Sequence, residues 1–223
     1  MSIVDIGQRL PTIDALLRRA RSIAMIEAVL MPDEERRRYF FADAWRPDGQ
    51  LFWMDDNVGN DLSIAFVPQG ALIKGFHHES PLSPSVNDDE VWPGMMDGIP
   101  DFLQSVLEDP SLIDDDGILS ATFLAWRTPE DRLWRHGDLE LAEVSFSGTD
   151  IDGSGMLFPL IDETPLSYLE AAESYYDRQI AREAAIAIWR GDPLTDSVIR
   201  ELNASADVLN AREEAGIIGY QVQ

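Results

Sequence analysis

Four short runs of aromatic and β-branched residues, separated by turn residues, lie between positions 39 and 78. The runs are YFFADAW, QLFWMDD, LSIAFVP and ALIKGFHH, and their separators are RPDG, NVGND and PQG. Runs of this length and composition favour strands, and the Gly, Pro, Asn and Asp between them favour tight turns. Because tight turns join neighbouring strands antiparallel, the pattern predicts a four-stranded antiparallel meander over 39–78.

A helical period precedes the meander. Residues 12–30 read TIDALLRRARSIAMIEAVL, with apolar side chains at the spacing of one buried stripe on an α-helix. Thr12 is suited to cap the first turn, and the carboxylate of Asp14 favours the positive end of the helix dipole. The sequence therefore predicts an N-terminal helix, followed by a charged connection.

Beyond the meander the sequence predicts a loop, a helix and more strands. Residues 79–99 hold several prolines and three adjacent acids, which is typical of a long surface loop, and 99–109 predicts a short helix. GILSATFLAWR and DRLWRHG flank TPE and predict a hairpin. LAEVSFSG and MLFPLI are further candidate strands.

The last third of the chain returns to a helical pattern. Thr164 and Pro165 have the order of a cap and a first helical residue, and they open a helix that Gly191 would end. Thr195 and Ser205 are candidate caps for two further helices.

Together these patterns predict an α+β fold in one domain spanning 1–223. An N-terminal helical segment (1–38) precedes a mainly antiparallel β region, a meander plus a hairpin (39–161), and a helical C-terminal third (162–223) packs on it. Apolar residues make up 45% of the chain, enough to bury a core.

Acidic charge is distributed unevenly along the chain. The net charge is −24, yet residues 1–38 carry seven arginines against six acids, and the remaining 185 residues carry 10 basic against 35 acidic groups. Such a surface repels phosphate backbones and anionic membranes and attracts basic proteins. We therefore expect a basic protein partner and neither nucleic-acid nor membrane binding.

Cysteine is missing from the sequence. Disulfides, thiolate metal sites and a cysteine nucleophile are thereby excluded, and a reducing compartment is favoured. The chain also shows no secretory-signal pattern at its start and no apolar stretch approaching the roughly 18 residues of a membrane helix. We expect a cytoplasmic protein without a cofactor.

The stretch GFHHESPLSP contains two of the three histidines. If the strand continues through it, alternation places His77 with Glu79 on one face and His78 with Ser80 on the other. One hypothesis is an active site of a hydrolase or metal-dependent enzyme, formed by His78, Glu79 and Ser80 with His136. The alternative is a strand end that hydrogen-bonds the following loop.

Two candidate metal sites follow from ligand types alone. His136 and Asp138 could join His77 and Glu79 if the two β regions are neighbours. Asp150, Asp152, Ser154 and Gly155 match positions 1, 3, 5 and 6 of a calcium loop, but position 12 is Ile161 rather than glutamate. An Asp-Gly turn between strands explains the second pattern equally, and we expect no metal.

The loop at 79–99 contains a candidate binding element. Asp88, Asp89 and Glu90 precede Trp92. Acidic side chains steer a basic partner and a tryptophan supplies contact area. A solvated loop with Trp92 packed on the core is the competing interpretation.

Several segments together resemble a known family. GF-HHESPLSP, VWPGMMDGIPDF, ATFLAWR, LWRHGDLE, PLSYLEAAESYY and PLTDSVIRELN are similar to a family of uncharacterised bacterial cytosolic proteins over about 75–220. The resemblance implies an acid where this chain has His77, and it implies no activity. The order of elements and the acidity also resemble, more loosely, the SUKH-type immunity proteins of bacterial toxin systems.

Three functional hypotheses remain open from the sequence. The first is a non-catalytic protein-binding module, immunity- or regulator-like, that engages a basic partner. The second is the enzyme centred on the histidines. The third is a homo-oligomeric structural subunit, such as a homodimer, with Tyr175, Tyr176 and Trp189 forming an exposed aromatic patch.

Overall fold

The computed structural model describes residues 1–114, 116–139, 141, 144 and 146–223. Its main elements in chain order are α1 (Ile3–Ile6), α2 (Ile13–Leu30), β1 (Tyr39–Arg46), β2 (Gly49–Asp55), β3 (Asp61–Val67), β4 (Gly70–Phe76), α3 (Asp101–Leu107), β5 (Phe123–Arg127), α4 (Phe158–Ile161), α5 (Leu166–Tyr176), α6 (Arg182–Arg190), α7 (Asp196–Leu202) and α8 (Val208–Ile218). The strands form a five-stranded antiparallel sheet in the order β1-β2-β3-β4-β5. The predicted α+β fold, with its N-terminal helix, meander and C-terminal helices, is confirmed.

The chain divides into two compact units. The first unit comprises Met1–Ile13 and Asp55–Leu157, and the second comprises Asp14–Met54 and Phe158–Gln223. The assignment of 1–223 to a single domain stays a prediction.

In the first unit, β4 lies between β3 and β5. The β3–β4 hairpin turns between Val67 and Gly70, and Leu72 of β4 pairs with Trp126 of β5. Consecutive residues along β3 and β4 are buried rather than alternate ones. Strands covered on both faces read as continuous apolar runs, which matches LSIAFVP and ALIKGF. Helix α3 contacts β4, and α1 contacts β5.

In the second unit, β1 and β2 form a hairpin in which Phe41 pairs with Phe52. Helix α8 contacts β1, and α7 contacts both α6 and α8. The predicted cap Thr195 accepts a hydrogen bond from the backbone nitrogen of Val198 at 3.3 Å. Helix α8 is capped by Asp207 instead of the predicted Ser205, because its carboxylate accepts from the first-turn amides.

Two further local predictions were wrong. MLFPLI forms a 3₁₀ turn (Ser154–Leu157) and α4 rather than a strand. Its proline lies in the first turn of α4, a position that tolerates a missing N–H, whereas a central strand does not. The expected long helix ends early, since Asp177 adopts φ 47° and terminates α5, and a separate α6 ends at Gly191.

The predicted second hairpin forms in part, because Trp126 and Arg135 exchange both backbone hydrogen bonds in an antiparallel bridge across the TPE turn. Strand β5 forms, but the following segment contributes only one isolated bridge, between Trp126 and Arg135, in the described part of the chain. The candidate strand LAEVSFSG lies largely on residues outside the described ranges. No helix among the residues described is long and apolar enough to cross a membrane.

Candidate functional site

The two adjacent histidines lie just beyond a strand rather than within it. Strand β4 ends at Phe76, and the rings of His77 and His78 stack with centroids 5.7 Å apart and planes 14° apart. The alternation expected if the strand continued does not apply here, because it holds only while the backbone is extended in a strand. Asn60 positions His78: its Oδ1 accepts the backbone N–H at 3.0 Å and lies 2.9 Å from Nδ1.

Ser80 is not presented as a nucleophile. Its side chain is 4% exposed, and its hydroxyl donates to the backbone oxygen of Ile151 at 2.7 Å while accepting from the backbone nitrogen of Leu82 at 3.1 Å. Glu79 is exposed, and its Oε1 lies 4.0 Å from Nε2 of His78. The hydroxyl proton therefore joins Ser80 to a distant segment of the chain, and the bond from Leu82 is the one that lies within the loop after the strand.

His136 makes a local contact. Its Nδ1 lies 2.8 Å from the backbone oxygen of Gly137, a carbonyl that can only accept, so Nδ1 carries the proton and donates. Across the residues the structure describes, no group of three or more His, Asp or Glu side chains could hold a metal ion. The combination of His136 and Asp138 with His77 and Glu79 is thus not assembled as a metal site.

The calcium-like turn uses its carboxylates on backbone amides. Oδ2 of Asp150 accepts from Gly155 at 2.8 Å, and Oδ1 of Asp152 accepts from Ser154 at 3.0 Å. Oδ2 of Asp152 accepts from the backbone nitrogen of Ile3 at 2.6 Å. Carboxylates that close a turn in this way explain the Asp-rich pattern without a cation.

Asp152 is the centre of a buried polar network that sequence reasoning missed. Its side chain is 0% exposed, and burial raises its pKa above the ordinary value. Its backbone oxygen accepts from the hydroxyl of Thr122 at 2.6 Å, and that hydroxyl accepts from the backbone nitrogen of His77 at 3.1 Å. Helix α1, the end of β4 and the 150–155 turn are thereby joined.

Gly153 allows this close approach. It has φ 81°, a conformation that favours glycine, and a Cβ at this position would overlap the Cβ of His77. His77 is therefore fixed by a packing contact with the 150–155 turn.

The candidate binding element is an ordered loop. We call Asp88, Asp89 and Glu90 the acidic tip; all three are exposed, and none of the salt bridges found among described residues involves them. Asp88 and Asp89 adopt φ 55° and 62°, in the left-handed region that Asp tolerates better than most residues. The amide of Asn87 donates to the backbone oxygens of Glu90 and Val91 at 3.1 Å each, which holds the turn.

The second unit also contains a buried acid, Glu27, which the sequence analysis did not single out. Glu27 on α2 is 0% exposed and accepts hydrogen bonds from the hydroxyls of Tyr168, at 2.9 Å, and Tyr176. The backbone nitrogen of Arg38 donates to the same carboxylate at 3.4 Å. Burial raises the pKa of Glu27, and the three hydrogen bonds partly offset that effect.

A signal for Glu27 was present in the sequence. It is the one acid in the run SIAMIEAVL, and every residue from Ser22 to Leu30 is buried. A helix that is apolar on all faces is buried on all faces, so a lone acid within it needs internal partners.

Comparisons with protein-family models, curated proteins and solved structures found no significant match to this chain. The resemblances drawn from the sequence therefore stay predictions.

Proposed function

We propose that the chain is a non-catalytic protein-binding module, immunity- or regulator-like, whose acidic tip engages a basic partner protein. The observation that carries the proposal is the exposure of three adjacent carboxylates without an ion pair among the described residues. Carboxylates left unpaired at a surface are available to a cationic partner and contribute both steering and specificity.

The distribution of charge between the two units supports this proposal. By sequence the first unit carries 22 acidic against 5 basic residues, and the second carries 19 against 12. The balances are −17 and −7, so the unit that contains the acidic tip is the more acidic one. A field of one sign raises the rate at which an oppositely charged partner is captured.

Order in the loop supports the proposal as well. The backbone nitrogen of Asp89 donates to Pro84 at 3.0 Å, and that of Glu90 donates to Asn87 at 3.0 Å. A loop already held in one conformation loses less entropy on binding than a mobile one. Trp92, half-buried beside the tip in sequence, adds an aromatic of the kind enriched at binding hot spots.

The alternatives have weaker support. An enzyme at the strand end would need a reactive Ser80, whose proton is donated to a backbone carbonyl. The aromatic patch suggested for a homo-oligomer is incomplete, because Trp189 is 8% exposed and its Nε1 donates to Glu163. We therefore advance neither.

The test is affinity capture with matched charge variants. The variant Asp88→Asn, Asp89→Asn, Glu90→Gln removes three charges and keeps Asn at the two left-handed positions, where it is tolerated. The control Glu183→Gln, Glu201→Gln, Glu213→Gln removes three exposed charges in the second unit. The wild type and the control should retain a basic partner from source-cell extract at low salt, whereas the tip variant should lose it.

The second part of this test repeats the capture at high salt. At roughly 1 M salt the Debye length is about 3 Å, so binding through exposed charges should be lost from all proteins. Equal retention by the tip variant and the control would overturn the role of the tip. If the wild type retains no basic protein at low salt, the proposal as a whole fails.

A further inference from the structure

A pocket of about 260 Å³ lies within the second unit and has no role in the proposed function. Its walls include Asp14, Arg18 and Arg21 of α2, Tyr220 and Gln221 of the C-terminal segment, and Gly219. The volume is close to the lower end of the range for small-molecule sites. Small-molecule sites are concave, and a small number of polar or charged groups in them fix the orientation of the ligand.

The hydroxyl groups of this pocket are already engaged. Ser22 donates to the backbone oxygen of Ile188 at 3.1 Å, and the phenol of Tyr220 lies 2.8 Å from the backbone oxygens of both Ile188 and Asp192. Burial raises the pKa of Tyr220, so the phenol keeps its proton. Neither hydroxyl has a proton to offer a ligand, and the ring of Tyr220 serves as a wall.

Arg21 is held in place and retains an unused donor. Its Nη2 pairs with Asp43, and the guanidinium carbon lies 5.3 Å from the ring centre of Phe41. Asp43 is fixed in turn by Gln50, whose amide donates at 2.6 Å. The Nε of Arg21 is buried without a hydrogen-bond partner in the described part of the chain. A buried N–H without a partner is costly, and a ligand oxygen would remove that cost.

Gly219 is required for this arrangement. It adopts φ 71° at the end of α8, and a Cβ there would overlap the carboxylate of Asp43. Any other residue would displace Asp43 and with it Arg21.

Arg18 supplies a second cation one turn before Arg21 on α2. It is exposed and takes part in none of the salt bridges seen among described residues. Residues three apart on a helix share a face, so both arginines border the same space. Asp14 is the acid in the same wall, and the uncommitted N–H donors of the two guanidinium groups outnumber its acceptors.

We propose that this pocket binds a small organic oxyanion, a carboxylate or a phosphate ester. Arg18 forms the ion pair with the oxyanion, and Nε of Arg21 donates a further hydrogen bond. Leu17 and the ring of Tyr220 contact the carbon part of the ligand. Guanidinium groups suit this role because their planar set of donors matches the geometry of carboxylate and phosphate.

The test uses probes of one length and different charge, titrated into the full ¹⁵N-labelled chain by NMR. Succinate should shift the amide signals of Gly191, Gly219 and Gln221 saturably, with a dissociation constant of about 1 mM or tighter. Succinamide and butane-1,4-diamine should leave those signals unchanged. Inorganic phosphate, as a parallel titrant, distinguishes a phosphate-selective site from a carboxylate-selective one.

Two arginine variants make the result specific. Arg18→Gln should weaken binding of the preferred probe about tenfold or more, the loss expected for one charge-assisted hydrogen bond. Arg200→Gln removes an exposed arginine elsewhere in the same unit and should leave the affinity unchanged. Unchanged melting temperatures for both variants would establish that they are folded.

The proposal is overturned by any of three results. The first is that neither succinate nor phosphate shifts the pocket signals saturably. The second is that the neutral or cationic probe shifts them as strongly as the anion does. The third is that Arg200→Gln weakens binding as much as Arg18→Gln. The last result would mean that diffuse charge attracts the anion.

Discussion

Each unit of this protein encloses one fully buried carboxylate among the described residues. The two carboxylates differ in the groups that donate hydrogen bonds to them. Asp152 in the first unit accepts from the backbone nitrogens of Ile3 and Ser154. Glu27 in the second accepts from the hydroxyls of Tyr168 and Tyr176 and, at a longer distance, from a backbone nitrogen. Burial raises the pKa of both acids.

The two sets of hydrogen-bond partners tolerate different side chains at the position of the acid. A backbone N–H can only donate, so Asp152 must offer an acceptor on both oxygens. A hydroxyl rotates and can either donate or accept, so the tyrosines around Glu27 can adapt to a different group. We infer that the first unit depends on a carboxylate to hold its chain path, whereas the second depends on a polar group of the right size.

The largest expected effect is that of Asp152→Asn. Its amide has one oxygen, so one backbone N–H loses its acceptor and faces an NH₂ donor. Leaving a buried donor unpaired and placing donors together should lower the free energy of unfolding by about 3 kcal/mol. Urea denaturation measures this, with the exposed Asp97→Asn as a control expected to stay within about 0.5 kcal/mol of wild type. A loss below about 1 kcal/mol would contradict the distinction between the two acids.

In contrast to Asp152, Glu27 should tolerate replacement by the corresponding amide. Glu27→Gln keeps the size of the side chain, and the rotating hydroxyls can pair with its amide, so we expect a change below about 1 kcal/mol in the same denaturation experiment. Glu27→Ala leaves the hydroxyl of Tyr168 buried without a partner and opens a cavity, and should cost about 2 kcal/mol. If Glu27→Gln costs as much as Glu27→Ala, the second unit also requires a carboxylate and the comparison fails.

The smallest expected effect is a pH dependence. A raised native pKa means that the folded protein binds more protons than the unfolded chain between the unfolded value, about 4.3 for Glu, and the native value. Stability from this group is fully present below that unfolded value and falls as pH rises through the window. The unfolding free energy of wild type minus that of Glu27→Gln should therefore decrease from pH 4 upward. If this free-energy difference increases with pH instead, folding does not raise the pKa of Glu27.

Local patterns predicted most elements of the fold. The meander formed because each of its strands has its own turn signal, and α2 and α3 formed where their periodicity and flanking residues indicated. MLFPLI failed because six apolar residues fit a strand or a buried helix equally, and Asp177 ended α5 within a run that is helical by period. Neither ambiguity can be resolved within a window of a few residues.

The candidate site was predictable only in part. The acidic tip is exposed where the sequence indicated a surface loop, but the stacking of His77 on His78 depended on one residue, the end of β4 at Phe76. Ser80 looked available in the sequence and is buried. Its hydroxyl donates to Ile151, which lies far along the chain, so the residues near Ser80 in the sequence could not predict this contact.

The sequence by itself determined the α+β class, the antiparallel meander, the helical C-terminal third and the strong acidity. These properties depend on composition, on turn residues between short apolar runs and on a period of 3.6 residues, all of which are local. The tertiary structure alone decided which of the many acids are buried, that Asp152 pairs with Ile3, and that Arg18 and Arg21 border a pocket. Those outcomes depend on which distant segments meet, because burial and hydrogen-bond partners belong to a contact and not to a residue.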